Sequence, residues 1–116
     1  MSQMIVVAGI AEFATTAGRD ACLASSGQYQ APARTGEPGC LAYYFCPDPV
    51  VDTRMAVWEL WADEAALAAH FHHENYTNMG QHIAKFGLVN GDFKKYRVDK
   101  SSPVYDDTHT PRADFF

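Results

Sequence analysis

The chain has 116 residues, of which 47% are hydrophobic and 20% are charged, and its formal net charge is -5 at pH 7. This length and composition are typical of one soluble globular domain with a single core. The few basic residues form no broad positive stripe that could neutralise a phosphate backbone, which excludes nucleic acid as an expected partner.

The sequence also predicts no membrane partner. The N-terminus has no charged-then-apolar leader, and no apolar run approaches the roughly 20 residues of a membrane span. If Cys40 and Cys46 share one strand, they lie about 20 Å apart at roughly 3.3 Å per residue and cannot bridge each other. We therefore expect a cytoplasmic protein with reduced cysteines.

The first two predicted elements are a strand and a helix. Residues 3–13 are rich in β-branched side chains and too few for a helix standing alone, so they predict a strand. Thr15 or Thr16 is then placed to cap a helix over residues 18–34. Gly27 and Pro32 weaken the second half of that helix, which we expect to be kinked or frayed late.

A tight turn and two neighbouring strands follow. The sequence EPGC at residues 37–40 has a proline followed by a glycine, which favours a type II turn. Strands are predicted over residues 40–46 and 53–61, and too few residues separate them for a crossover helix. These two strands are therefore an antiparallel hairpin or close neighbours.

The last part of the domain is predicted to be helix and then strand. Asp63 stands at an N-cap position before strong helix formers, which predicts a helix over residues 64–74. Residues 75–78 offer a second cap, for a helical segment that ends near Phe86. The final strand covers residues 88–98.

The order β-α-β-β-α-β with a short middle hairpin predicts an α+β, ferredoxin-like fold over residues 1–99. It has one four-stranded antiparallel sheet with both helices on one face. Residues 100–116 form a C-terminal tail. Its apolar side chains are expected to pack against the domain or a partner subunit: Val104, Tyr105, Phe115 or Phe116.

Both faces of the predicted sheet are apolar. A sheet covered on one side normally alternates apolar and polar residues, but the strands carry apolar residues at both parities. Two helices cannot cover both faces, and an exposed apolar sheet is an association site. We therefore predict a homodimer.

Three histidines in the segment HFHHE raise the question of a metal or catalytic site. At roughly 100° per residue, His70 and Phe71 share a helix face, whereas His72 points to solvent. His70 has a possible metal partner one turn away in His73 or Glu74. There is no clear third ligand, so no metal site is predicted. His70 is then either a core-edge histidine or a pocket histidine.

Two further residues carry open alternatives. Trp61 is either core packing or a pocket wall. Glu59, the lone acid inside an apolar strand, either pairs with a buried arginine such as Arg54 or Arg97 or acts as a base.

The sequence EPGCLAYYF, a short loop and AVWELWADEAALAAHF together resemble the antibiotic biosynthesis monooxygenase superfamily of dimeric α/β-barrel proteins. The family motif pairs a Glu-Pro-Gly-Cys turn with an acid, a tryptophan and a histidine, which match residues 37–40, Glu59, Trp61 and His70. The resemblance in element order extends from about residue 4 to residue 98. It implies a dimer joined sheet to sheet and a pocket between helices and sheet in each protomer.

This resemblance implies an enzyme that uses no flavin, metal or nicotinamide cofactor. A small aromatic quinol- or anthrone-like substrate would react with O2, with His70 as the base or hydrogen-bonding partner. Trp61 would then be a pocket wall, with Glu59 also in the site. The other candidate pocket residues are Tyr44, Phe71, Phe86 and His82.

Two alternatives remain open. The chain could be a non-catalytic dimeric protein that binds a small aromatic ligand, which His70 only orients. A heme-handling role is the third alternative, although the asparagine, tryptophan and histidine set of heme-degrading members is not reproduced.

Overall fold

The computed structural model describes residues 3–116. The elements in chain order are β1 (Ile5–Phe13), α1 (Thr16–Ala24), α2 (Gly27–Gly36), β2 (Cys40–Pro47), β3 (Arg54–Trp61), α3 (Glu64–Phe71), α4 (Glu74–Ala84) and β4 (Leu88–Arg97). The strands form one sheet in the order β2-β3-β1-β4, and all neighbours are antiparallel. The predicted ferredoxin-like fold is confirmed, with each predicted helical region divided into two helices.

The first helical region breaks earlier than predicted. Thr15 caps α1 by accepting a hydrogen bond from the Gly18 amide at 3.0 Å. The Ser25 hydroxyl donates to the Ala21 carbonyl at 2.7 Å. Such a hydroxyl competes for a helix carbonyl, which explains why α1 ends here. The interruption lies just before Gly27, one of the two residues expected to weaken the helix, whereas Pro32 lies inside α2, which continues to Gly36, so fraying at Pro32 is wrong.

The second helical region is interrupted at the histidines. Asp63 caps α3 as predicted, by accepting from the Ala66 amide at 2.8 Å. His73 then caps α4 through its Nδ1, which accepts from the Asn75 amide at 3.0 Å. The predicted helix over residues 64–74 is therefore wrong in its last turn, and Glu74 belongs to a different helix from His70.

The sheet has a covered face and an open face. The covered face packs against the helices and carries the core side chains of alternate positions in β1 and β3: Ile5, Val7, Ala11, Phe13, Met55, Val57, Glu59 and Trp61. The open face carries the other parity and forms a concavity of about 470 Å³. Trp58 and Tyr44 are paired across strands there, and both are exposed.

The tail over residues 100–116 folds back on itself. A β-bridge joins Tyr105 to Pro111, and the guanidinium of Arg112 lies 4.3 Å from the centre of the Phe116 ring. The apolar side chains expected to dock, Val104, Tyr105, Phe115 and Phe116, are between 46% and 61% exposed. They are not buried in their own protomer, and docking on a partner stays a prediction.

In the part of the chain that the structure describes, no helix has both the length and the hydropathy needed to cross a membrane.

Candidate functional site

His70 lies in the last turn of α3 and is only 1% exposed. Its Nδ1 is 2.8 Å from Glu37 Oε1. Burial lowers the pKa of His70 below its usual value, although the hydrogen bond and charge of Glu37 oppose this shift. The imidazole is therefore neutral near pH 7, with Nδ1–H donating to the carboxylate and the Nε2 lone pair left free to accept a proton.

Glu37 owes its position to the turn between α2 and β2. The Cys40 amide donates to the Glu37 carbonyl at 3.2 Å, and Gly39 has a φ of 81°, as the predicted type II turn requires. The second carboxylate oxygen of Glu37 accepts from Asn75 Nδ2 at 3.1 Å. Because both oxygens are occupied, the carboxylate is fixed and holds the His70 ring in one orientation.

Aromatic rings surround the His70 imidazole. The Trp61 ring lies 4.5 Å away between ring centres, tilted by 34°. Tyr43 and Tyr76 meet the imidazole edge-on at 5.4 and 5.3 Å. Such an enclosure excludes water from the histidine on these sides and strengthens its hydrogen bond to Glu37.

Glu59 lies on the covered face of β3 and is 7% exposed. It pairs with neither predicted arginine, because Arg54 binds Glu12 and Arg97 binds Glu64. Its Oε1 instead accepts from Trp61 Nε1 at 2.9 Å. Burial raises the pKa of Glu59 to about 7, against the effect of the Trp61 hydrogen bond and with a smaller contribution from the charge of Glu37.

A cavity of about 830 Å³ lies between the covered face and α4, and both His70 and Glu59 line it. Its walls are mainly apolar and include Met55, Met79 and Ile83. Among the described residues, no buried side-chain nitrogen or oxygen lacks a hydrogen-bond partner. His70 Nε2 and Glu59 Oε2 make no hydrogen bond with the described residues, so neither atom can be buried. Both are therefore accessible from the cavity.

The predicted pocket residues divide between the two faces of the sheet. Phe71 lines the cavity. Trp61 does not line it, because its ring is fully buried against His70, so its predicted place in the pocket wall is wrong. Tyr44 does not line it, because its side chain projects from the open face. Its neighbour Tyr43 is fully buried and lines the cavity instead.

His82 and Phe86 form a separate contact away from the cavity. His82 Nε2 lies 3.0 Å from the Cys22 carbonyl oxygen and 3.1 Å from Ser25 Oγ. A carbonyl only accepts hydrogen bonds, so Nε2 carries the proton and donates. Phe86 packs edge-on against this imidazole at 4.9 Å. The prediction that these two residues line the pocket is wrong, because His82 in the last turn of α4 faces α1 and Phe86, just after this helix, packs against it.

Three residues of the site were not anticipated as functional: Glu37, Tyr43 and Asn75. Glu37 was assigned to the turn of the family motif without a role in the site, and Asn75 only to a helix cap. A buried acid in the turn and a histidine 33 positions later give no periodic signal that they meet. For Tyr43, the β-bulge between Cys40 and Ala42 shifts the strand register, and both parities of the strand are apolar.

Within residues 3–116, no group of three or more His, Cys, Asp or Glu side chains is placed to hold a metal ion. His73 uses its Nδ1 to cap α4, and His72 is exposed, as predicted.

Comparison with known sequences gives one family match. Residues 4–81 match the model of the family described as antibiotic biosynthesis monooxygenase. A search of curated proteins found no significant match.

Solved structures share the fold at low sequence identity. A protein from Deinococcus radiodurans has a TM-score of 0.76 and 15% identity, with 88% of this chain and 99% of that chain covered. One from Caulobacter crescentus CB15 has a TM-score of 0.71 and 20% identity, covering 85% and 92%. Both are provisionally named antibiotic biosynthesis monooxygenases. At these identities the likeness shows the fold alone.

Proposed function

Since the chain belongs to the antibiotic biosynthesis monooxygenase family, we propose that it is a cofactor-independent monooxygenase. Its substrate is a small aromatic quinol- or anthrone-like compound, and its co-substrate is O2. The observation that carries the proposal is a histidine with an accessible Nε2 in an apolar cavity, whose Nδ1 is held by a buried carboxylate.

The proposed reaction begins with proton transfer. His70 Nε2 accepts the acidic proton of the substrate, and Glu37 stabilises the imidazolium that forms. The electron-rich substrate anion then donates one electron to O2, which gives a substrate radical and superoxide. The two combine to a peroxide on the substrate carbon. The His70 imidazolium returns its proton to this peroxide. Loss of water from the resulting hydroperoxide, with the hydrogen of the same carbon, leaves a new carbonyl, so one oxygen atom enters the product and the other enters water.

The rest of the cavity supports this chemistry by shape and polarity. Apolar walls hold a planar ring system and exclude water from the reduced oxygen intermediate. Glu59 has a pKa of about 7, so near neutral pH it is available in both forms, as a hydrogen-bond donor or acceptor for a substrate oxygen. Phe71 and Tyr43 provide aromatic contacts to the substrate.

The decisive experiment is oxygen uptake by the purified protein with a panel of naphthoquinols and anthrones. Turnover above the uncatalysed rate, with one oxygen atom from 18O2 in the product, would support the proposal. No uptake with any member, although the same compounds bind, would favour the alternative of a non-catalytic binding protein. That alternative rests on the same aromatic surroundings of His70, which suit a planar ligand without any reaction.

We also propose that two copies associate through the open face of the sheet. Trp58 is 43% exposed there, and Tyr96 is also exposed. A contiguous apolar surface of this kind is typical of an interface. Light scattering should give the mass of a dimer, and Trp58→Glu should give a monomer, because it places a charge within the interface. A monomeric wild-type protein at micromolar concentration would contradict this assembly.

A further inference from the structure

The strand register aligns Glu59, Val7 and Lys95 in one row across the covered face. Val7 pairs with Glu59 of β3 on one side and with Lys95 of β4 on the other. Paired residues on neighbouring antiparallel strands point to the same face of a sheet. All three residues line the cavity. The row therefore runs from the buried acid, across an apolar floor, to a lysine on the edge strand.

The length of this row suits a bicyclic aromatic molecule. Two strand spacings separate the backbones of Glu59 and Lys95, which is roughly 10 Å. This separation leaves room above Val7 for a bicyclic ring system between the two side chains. Phe93 lies beside the row and continues the apolar floor: a Cβ on Gly9 would be 2.6 Å from the Phe93 ring, so the ring occupies the space that glycine leaves free.

Lys95 differs from the other cations of β4. The Lys94 ammonium binds Asp92 at 3.0 Å, and Arg97 binds Glu64 at 3.0 Å. Lys95 has no ion pair or hydrogen bond to any side chain among residues 3–116. A lysine at an apolar cavity without a carboxylate partner is suited to bind an anion from the ligand.

We propose that Lys95 binds an anionic group of the substrate, so that the substrate class is aromatic hydroxy compounds with a carboxylate at the far end of the ring system. The assignment rests on the proposed function, since it places the reacting end of the ligand beside Glu59 and His70. The ring then lies over Val7, and the carboxylate reaches Lys95.

The test is a binding measurement that needs no turnover. Isothermal titration calorimetry compares 6-hydroxy-2-naphthoate with 2-naphthol, which has the same rings without the carboxylate. Lys95 is exposed, so wild-type protein should bind the carboxylate about 2–5-fold more tightly, the scale of one solvent-exposed ion pair. Lys95→Met should abolish this preference and leave the affinity for 2-naphthol unchanged. Lys85→Met, at the end of α4 and outside the cavity, should leave both affinities unchanged.

The outcomes separate this proposal from the proposed function. Equal affinities for the two naphthols in wild type, or a preference that survives Lys95→Met, would overturn the proposal and leave Lys95 as an edge-strand lysine that only prevents strand pairing. Failure of both compounds to bind wild type would overturn the aromatic site altogether. A preference that depends on Lys95, together with no oxygen uptake, would support the anion site and contradict only the oxygenase activity.

Discussion

His70 and His82 are both buried, yet their surroundings give them opposite chemistry. His70 donates from Nδ1 to a carboxylate and leaves Nε2 open to a cavity. His82 donates from Nε2 to the Cys22 carbonyl and lies between the rings of Tyr29 and Phe86. Burial alone does not distinguish a reactive histidine from a structural one. The partner of each ring nitrogen does.

Replacing His70 should have the largest effect on activity. If the cavity catalyses oxygenation, His70→Ala should lower turnover by roughly 10²-fold or more, the scale of a positioned general base. Steady-state oxygen uptake measures this loss, and circular dichroism and light scattering check that the fold and assembly persist.

His82→Ala is the matched control, since it removes the other buried imidazole. We expect it to destabilise the protein by roughly 1–3 kcal/mol, because the Cys22 carbonyl loses the shorter of its two side-chain hydrogen bonds and the rings of Tyr29 and Phe86 lose a packing partner, with turnover per folded molecule unchanged. Similar losses of turnover in the two variants would remove His70 from the mechanism. Unfolding of His70→Ala would favour the structural interpretation of that residue.

The pH dependence of stability should distinguish the cavity from the His82 cluster. Burial raises the pKa of Glu59 from 4.5 to about 7, so between these values the folded protein keeps a proton that the unfolded chain releases. The contribution of Glu59 to stability therefore falls as pH rises through this window, by on the order of 2 kcal/mol between pH 5 and pH 8, whereas the lowered pKa of His70 gives a contribution that rises with pH. Urea unfolding across this range measures the slope.

Glu59→Gln should remove most of this slope, because glutamine does not titrate and can still accept from Trp61 Nε1. Glu64→Gln on the exposed side of α3 should keep it. The same change in stability between pH 5 and pH 8 in wild type and in Glu59→Gln would contradict the buried, protonatable state of Glu59.

Glu37→Gln should affect His70 and leave His82 unchanged, because Glu37 binds only the first of these two histidines. The glutamine amide has one oxygen, whereas the Glu37 carboxylate accepts from His70 and from Asn75 with a separate oxygen for each. One of these two hydrogen bonds is therefore lost, and we expect turnover to fall by roughly 10-fold. Glu37 raises the pKa of His70, so its loss should move the acidic limb of the kcat/KM profile to lower pH. A fall in stability with an unmoved pH profile would show that Glu37 is only structural.

His72→Ala should have the smallest effect. Its side chain is exposed, and a surface substitution of this kind usually changes stability by less than about 0.5 kcal/mol. Thermal unfolding and oxygen uptake should both match wild type. A loss of activity here would indicate that the histidine segment acts as a unit.

The fold could be predicted from the sequence because the patterns that indicate its elements are local. The type II turn needs only a proline and a glycine in adjacent positions, and the cap of α3 needs only Asp63 before helix formers. The break between α3 and α4 was predicted too late, with the cap at residues 75–78 instead of His73, because a histidine that caps a helix through Nδ1 has no distinctive pattern.

The sequence predicted only some of the residues that face the cavity. The helical period correctly turned His70 inward and His72 outward. It could not separate Tyr43 from Tyr44, because a strand with apolar residues on both sides gives no parity signal.

The sequence by itself determined the order of the elements, the turn and the inward direction of His70, since each follows from contacts within about one helical turn or strand. Only the tertiary structure decided that Glu37 holds His70, that Glu59 bonds to Trp61 rather than to an arginine, and that His82 faces α1. These outcomes depend on distances between elements far apart in the chain, and burial and hydrogen bonding there set the proton affinity of each group.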